Sequence, residues 1–489
     1  MERLSGLDSA FFALETPHST GHVGGLTILA PSAATRALDL ARLTALYAER
    51  LPLVPVMRKR LVGLPLGIDR PYWVDDPDFD LSYHLREDGL PHPGDDTQLG
   101  ELVARLHARP LDRTRPLWEA TLITGLARGR VAVYLKVHHA AIDGVSGADL
   151  LAVLTDTDPG GRTLPDPEPW NPPPLPSLAR LGWWTARDVA VWPVSAAKVA
   201  VDSVRSLPRL LPAVSRQRDP GQVTSALDGH PIDTTAGLAP PTPLNRTITP
   251  HRRFAFTTLS LDQVKEVKNA FGVSVNDVVM AVSAGVLRTW LLQRDALPEH
   301  PLAAMVPVSI RDESGHGLMG NRVSAMLAQV PTHVADPVAR LEAAHEATRH
   351  AKAQQGLIPQ GLFDEATDLT PPVLTNAAFR LVFDTHLRNR LPVFNVVISN
   401  IPGPPVPMYL AGARVEAHFP VSVVTDGLAL NITVMSYCGR MQFGLVADRS
   451  AVPDVDTIAA NLHVELAALR RAARRATRAQ TIAESRPSQ

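Results

Sequence analysis

Seventeen of the chain's 44 prolines lie between Thr155 and Pro250, and this clustering constrains the fold more than any other feature. Proline has no backbone N–H and a fixed φ, so no regular helix or sheet interior runs through such a stretch. The chain is therefore read as a first folded half, residues 1–157, a Pro-rich and amphipathic linker, 158–250, a second half, 251–479, and a disordered tail, 480–489. With 489 residues and 45 % apolar side chains, each half has enough material for its own core.

Hydrophobic periodicity places the same vocabulary on both sides of the linker. The first half reads as helix Leu7–Glu15, strand Gly21–Leu29, helix Arg36–Leu51, a strand at Pro71–Val74, helix Gln98–Arg109, strands Glu119–Gly125 and Arg130–Val137, and a helix after Gly144. The second reads as strand Arg252–Leu259, helices Leu261–Ala270 and Val275–Leu292, strands Ala303–Ser309 and Arg322–Val330, and helices Pro337–Gln354 and Pro372–Leu387. Strands Val393–Ser399, Ala429–Met435 and Met441–Val446 and a helix Val455–Arg478 complete it. Two α/β (α+β) domains are expected. One hairpin occurs in each: Thr121–Thr124 with Val131–Val137 around Gly129, and Leu430–Val434 with Met441–Val446 around Gly439.

Charge and cysteine content exclude several function classes. Lys and Arg number 48 against 49 Asp and Glu, so no overall cationic field holds nucleic acid. The single cysteine, Cys438, has no disulfide partner, and the first residues lack a signal-peptide core. A cytoplasmic protein is expected. The longest uncharged run, Leu391–Ala413, contains five prolines and is no spanning helix.

The two hairpins differ in the residues after the second strand. Behind Val137 come His138-His139-Ala-Ala-Ile-Asp143-Gly144; behind Val446 come only Ala447-Asp448. Successive strand residues face opposite ways, so the two imidazoles do not share a metal ion while the strand stays regular. No metal site is expected. One imidazole in a cleft would serve as a general base near neutrality while its neighbour braces the turn. Gly144 would let the backbone turn into the next helix.

His138-His139-Ala-Ala-Ile-Asp143-Gly144 resembles the HHxxxDG motif of the coenzyme A-dependent acyltransferase superfamily, which includes chloramphenicol acetyltransferase and peptide-synthetase condensation domains. Leu4-Ser-Gly-Leu-Asp8, Pro116-Leu117-Trp118-Glu119, Val275-Asn276-Asp277 and Ser399-Asn400-Ile-Pro-Gly403-Pro404 further resemble the bacterial wax ester synthase/acyl-CoA:diacylglycerol acyltransferases, in that family's order along the chain. The resemblance implies two chloramphenicol-acetyltransferase-like domains joined by a long crossover. It implies His139 as the base, His138 and Asp143 as supports, Arg311 as a salt-bridge partner of Asp143, and Pro116–Trp118 near the substrate entrance. Acyl-CoA would be a substrate, with no resident cofactor, and a diacylglycerol or long-chain alcohol would be esterified without a covalent acyl-enzyme. Two other readings stand beside it: an acyltransferase acting on a polyketide or peptide alcohol, and a non-catalytic lipid-surface protein.

Some of these residues have plainer explanations. Ser274 and Asp277 fit a capping box, and Ser399–Pro404 must end its strand at a junction loop. Four of the seven tryptophans, Trp170, Trp183, Trp184 and Trp192, fall in the linker, and residues Leu178–Arg216 carry six Lys/Arg against two Asp. Such a makeup suits either an interfacial helix or a packed crossover. Arg470, Arg471, Arg474, Arg475 and Arg478 share one helical face. That face suits a solvated helix surface, or else contact with lipid or with the coenzyme A phosphates, and on the lipid reading of both features the protein is expected to associate peripherally with the inner membrane or lipid droplets.

Overall fold

Two six-stranded sheets carry the fold. The computed structural model describes residues 2–13, 15–64, 70–142, 147–165, 170–187, 239–309, 323–355 and 392–484. In spatial order the first sheet holds Tyr409–Leu410, Ala413–Val421, His22–Leu29, Val131–His138, Trp118–Thr124 and Leu85–Gly89. The second holds Val323–Val330, Leu302–Ser309, Val396–Ile401, Leu430–Tyr437, Arg440–Asp448 and Arg252–Ser260. A small sheet of Glu2–Arg3, Tyr72–Asp75 and Lys59–Val62 adds Trp73 to the first half's core.

Both hairpins read from the sequence are present, and they occupy equivalent places. Val131–His138 lies antiparallel between Trp118–Thr124 and His22–Leu29, and Trp118–Thr124 is parallel to Leu85–Gly89. Arg440–Asp448 lies antiparallel between Leu430–Tyr437 and Arg252–Ser260, and Leu430–Tyr437 is parallel to Val396–Ile401. The second hairpin turns on the two residues Cys438-Gly439, both with positive φ, the backbone that matches strand twist in a tight turn; the first is joined by a six-residue loop, 125–130, that also contains a positive-φ pair, Arg128-Gly129.

The sheets do not respect the boundary at residue 250, so the expected partition needs amending. Prolines after Ile401 end the strand Val396–Ile401, and the chain then crosses to the first sheet, where Ala413–Val421 pairs with His22–Leu29. His418 Nδ1 bonds Thr27 Oγ1 at 2.9 Å, and its ring fills the space beside Gly25, where a Cβ would come within 2.4 Å. Only glycine at 25 lets the crossing strand lie flat there.

Other boundaries also shift. The helix expected over Arg36–Leu51 is two, Ala33–Arg36 and Leu40–Arg50, because Asp39 caps the second through Arg42 N–H at 2.8 Å. The last helix runs Val455–Glu484 and so enters the segment expected to be disordered. Helix Pro372–Leu387 and most of the linker lie outside the described residues. Among the described residues one helix, Val275–Leu292, is long and apolar enough to span a membrane; 72 % of it is buried, as the second half's core helix.

Gly444 marks where the two sheets touch. A Cβ there would sit 1.8 Å from the Pro420 carbonyl oxygen of the crossing strand. Gly444→Ala should therefore cost about 1–3 kcal/mol of stability, read as a lower chemical-denaturation midpoint. An unchanged midpoint would show that the strands separate freely.

Candidate active site

The strand Val131–His138 is mostly buried, and its last residue stands opposite His22. His138 N–H donates to the Leu117 carbonyl at 2.9 Å and His139 N–H to the Gly21 carbonyl at 2.8 Å. The backbone then leaves the ladder in a short 3-10 turn, His139–Ile142. Helix Gly6–Ala13 packs over this corner with two neighbouring rings: Phe12 stacks on His138 at 4.1 Å and Phe11 on His139 at 4.0 Å.

Both ring nitrogens of His138 are engaged. Ala140 N–H donates to Nδ1 at 3.1 Å, so the proton of the neutral ring lies on Nε2, which meets Glu15 Oε1 at 3.2 Å. Glu15 Oε1 also accepts Gly21 N–H at 2.7 Å, and Oε2 pairs with Arg113. Burial works to raise the Glu15 pKa, but the His138 hydrogen bond, the attraction of His138, the Gly21 amide and Arg113 outweigh it and bring it to about 2.

Behind His138 lies a row of buried imidazoles. The His22 ring is 6.0 Å from that of His138 and 6.4 Å from that of His107. His107 Nδ1 accepts the Tyr134 hydroxyl at 2.8 Å, and Nε2 donates to the Ser422 carbonyl of the second half at 3.0 Å. Burial, then Lys136 and Arg252, hold its pKa near 3; burial and the same Lys136 push His22 well below its ordinary value. Lys136 itself donates to the Leu106 and Arg109 carbonyls at 3.0 and 2.9 Å and pairs with Glu119 at 3.3 Å. The second half reaches the site again through Arg252, whose guanidinium donates to the His18 carbonyl in the turn between Glu15 and Gly21.

The residues expected at the site separate into three groups. His138, His139 and Leu117 are together; Leu117 and His138 line a cavity of about 170 Å³ with Glu15, Thr20, His22 and Arg113 among others. Asp143, Gly144 and Arg311 lie outside the described residues. The rest do not line that cavity. Pro116 is buried, and Trp118 is sandwiched between Tyr47 at 5.5 Å and His84 at 4.5 Å, with Nε1–H on the Met57 carbonyl at 2.7 Å, so it belongs to the core rather than to a substrate entrance.

Asp277 forms the capping box with Ser274 and meets His345 Nδ1 at 2.8 Å, while Asn276 is half-buried beside it. Ser399 and Asn400 are half-buried at the strand end; Gly403 N–H donates to Ser436 Oγ at 3.0 Å, and a Cβ there would meet the Ser436 carbonyl oxygen at 2.1 Å. Sequence reasoning missed Glu15, Gly21, Phe11, Phe12 and Arg113. The available signal was a lone acid ahead of the turn that feeds the strand facing the histidines.

The likeness to solved structures first defines the class. Trichothecene 15-O-acetyltransferase from Fusarium sporotrichioides shares the fold at 13 % identity, with a TM-score of 0.56 over 96 % of this chain and 95 % of that one. This is the chloramphenicol-acetyltransferase-like architecture. A wax ester synthase/diacylglycerol acyltransferase from Marinobacter aquaeolei VT8 is 31 % identical, with a TM-score of 0.67 over 96 % of this chain and 99 % of that one. A Mycobacterium tuberculosis protein that carries the name diacylglycerol O-acyltransferase is 36 % identical over 456 residues, 93 % of this chain and 87 % of its own. Residues 4–279 match the wax ester synthase/diacylglycerol acyltransferase catalytic domain, and residues 319–470 match the family's C-terminal domain. The chain belongs to the wax ester synthase/diacylglycerol acyltransferase family and is an O-acyltransferase.

Neutral buried imidazoles make the fold acid-sensitive. Burial holds the His107 pKa near 3 and the His418 pKa near 4, against 6.5 ordinarily. Below that ordinary value the unfolded chain binds protons that the folded chain refuses, so the stability these groups contribute is complete above about pH 6.5 and is lost as pH falls toward 4. Denaturation between pH 8 and 4 should show this slope, and His418→Gln should flatten it. An unaltered slope in the variant would mean that His418 does not carry it.

Proposed function

We propose that the protein transfers an acyl group from acyl-CoA to the hydroxyl of a diacylglycerol or long-chain alcohol, giving triacylglycerol or wax ester. His139 is the general base. The observation that carries this is the asymmetry of the pair: His138 is buried with both nitrogens engaged, whereas His139 is partly exposed at the start of the turn. A ring committed to Glu15 and Ala140 has no nitrogen with which to take a proton from an alcohol, so the base falls to its neighbour.

The steps follow from the chemistry of esters. His139 takes the hydroxyl proton as the oxygen attacks the thioester carbonyl. The oxyanion that forms collapses with release of the coenzyme A thiolate, which recovers the proton from the imidazolium. No acyl-enzyme is needed. Cys438 occupies the hairpin turn of the second sheet, with its N–H on the Pro404 carbonyl at 3.2 Å, which supports direct transfer. The names of the relatives in Marinobacter and Mycobacterium support the acceptor classes.

His139→Ala should lower triacylglycerol or wax ester formation from palmitoyl-CoA by about 10²–10⁴-fold while keeping the parent's denaturation midpoint. A folded variant that keeps more than a tenth of the activity would overturn the assignment.

Such acceptors stay in lipid, so the enzyme meets them at a surface, and we place it at the cytoplasmic face of the membrane or on lipid droplets. Trp184 packs on Tyr72 at 5.5 Å and Trp170 lies under Arg58 at 4.0 Å, whereas Trp183 is 63 % exposed and Leu178 is 65 % exposed. Arg470 and Arg474 are held by Glu266 at 2.8 and 2.7 Å, and Arg474 is exposed along with Arg471, Arg475 and Arg478. Trp183→Ala should weaken flotation with anionic vesicles and leave stability unchanged, whereas Trp184→Ala should lower stability. Equal flotation of parent and Trp183→Ala would remove this segment from the membrane contact.

A further inference from the structure

The cavity beside the histidine pair has a polar character of one kind. Its acid is already used: Glu15 holds His138, Gly21 N–H and Arg113. What remains is donors. The Thr20 hydroxyl lines the cavity and has no hydrogen-bond partner among the described residues, and Arg113, its side chain 57 % exposed, has further N–H groups beyond the one given to Glu15. Leu111, Leu117, Pro17 and Pro110 supply the apolar wall. A ligand suited to this lining presents an acceptor oxygen on a hydrocarbon frame.

Charge narrows the choice further. Glu15 and Arg113 form a pair with no net charge, and the carboxylate remains ionised through the neutral range because its pKa is brought to about 2. A phosphate would be repelled by that carboxylate at close range, whereas a neutral carbonyl carries no net charge to be repelled. His138 lines the cavity, and the proposed base follows it where the backbone leaves the ladder in the turn His139–Ile142, its N–H on the carbonyl of Gly21, the residue after Thr20. In a diacylglycerol the free hydroxyl and an ester oxygen sit on neighbouring or next-neighbouring carbons, so a molecule seated by its ester presents its hydroxyl to that corner.

We propose that this cavity receives an ester carbonyl of the diacylglycerol acceptor, hydrogen-bonded by Thr20 and Arg113, and so favours diacylglycerol over a long-chain alcohol, which offers only its hydroxyl. This rests on the acyl-transfer reading above. A site built to bond a polar group discriminates strongly against a molecule that lacks it, because the donors are otherwise left unpaired.

The test uses the full chain with palmitoyl-CoA and two acceptors, dipalmitoylglycerol and hexadecanol. Thr20→Val should lower the ratio of kcat/KM for diacylglycerol over hexadecanol by about tenfold, through KM for diacylglycerol, while Thr20→Ser keeps the ratio within about twofold. Independently of any variant, triacetin, an ester without a hydroxyl, should compete with diacylglycerol for the parent protein, and inorganic phosphate should not. Four results would overturn the proposal: an unchanged ratio in Thr20→Val, a rise in KM for palmitoyl-CoA with both acceptors, no competition by triacetin, or competition by phosphate. The second would assign the cavity to the thioester carbonyl. A parent protein inactive with both acceptors would overturn the acyl-transfer reading and this one together, whereas an active parent with an unchanged ratio overturns this one alone.

Discussion

The hydrogen bond between His138 and Glu15 is the contact on which the corner of the site depends. One carboxylate takes the imidazole, the Gly21 amide and the Arg113 guanidinium, and so ties the end of the histidine strand to the turn that feeds its neighbour and to the loop before Trp118. Gly21 in turn accepts His139 N–H. A buried carboxylate is costly to desolvate unless such partners surround it; here they hold it ionised and keep the His138 ring in one tautomer. His139, the proposed base, is held partly through these neighbours and partly by two direct contacts, its N–H on the Gly21 carbonyl and its ring against Phe11.

The site sits on the first sheet, yet the second half holds it. Ala413–Val421 supplies a strand to that sheet, Ser422 accepts the proton of His107, and Arg252 grips the tip of the turn between Glu15 and Gly21. Two elements of the second half, the strand Ala413–Val421 with the Ser422 that follows it and the start of Arg252–Ser260, therefore reach the first sheet, the imidazole row or its supports. The two halves are not independent units joined by a tether, since contacts from the second half hold the surroundings of His138.

Local pattern made much of this legible. The alternation in Val131–Val137 and in Met441–Val446, the glycines at 129 and 439, and the cap at Ser274 each announce themselves within a few residues, and each is found where the sequence places it. The misses involve contacts that no local window contains. His418 meets Thr27 across 391 positions, His138 meets Glu15 across 123, and Arg113 meets Glu15 across 98. Ala413–Val421 was hidden for the same reason: it comes after a proline run and pairs with a strand from the other end of the chain. Trp118 was placed near a substrate because a motif singled it out, whereas its ring is a core plate between Tyr47 and His84. A motif records that a residue matters and is silent on whether it matters to the ligand or to the fold.

The internal repeat explains why only one half carries the histidines. In the first sheet the strand-end pair is His22 opposite His138; at the equivalent place in the second it is Arg252 opposite Asp448. Asp448 is fully buried and accepts from Thr249, Ser450 and Ala451, so it closes its own turn much as Glu15 closes the other. Arg252, 4.0 Å from that carboxylate, commits its outer nitrogen to the His18 carbonyl of the first half. The two strand ends have thus diverged into complementary tasks. One presents imidazoles to a cleft; the other holds a buried guanidinium in place against the turn that steadies them. Asp448 and Asp426 supply the negative charge that offsets the burial of the Arg252 guanidinium, a task a neutral imidazole at that position would not perform.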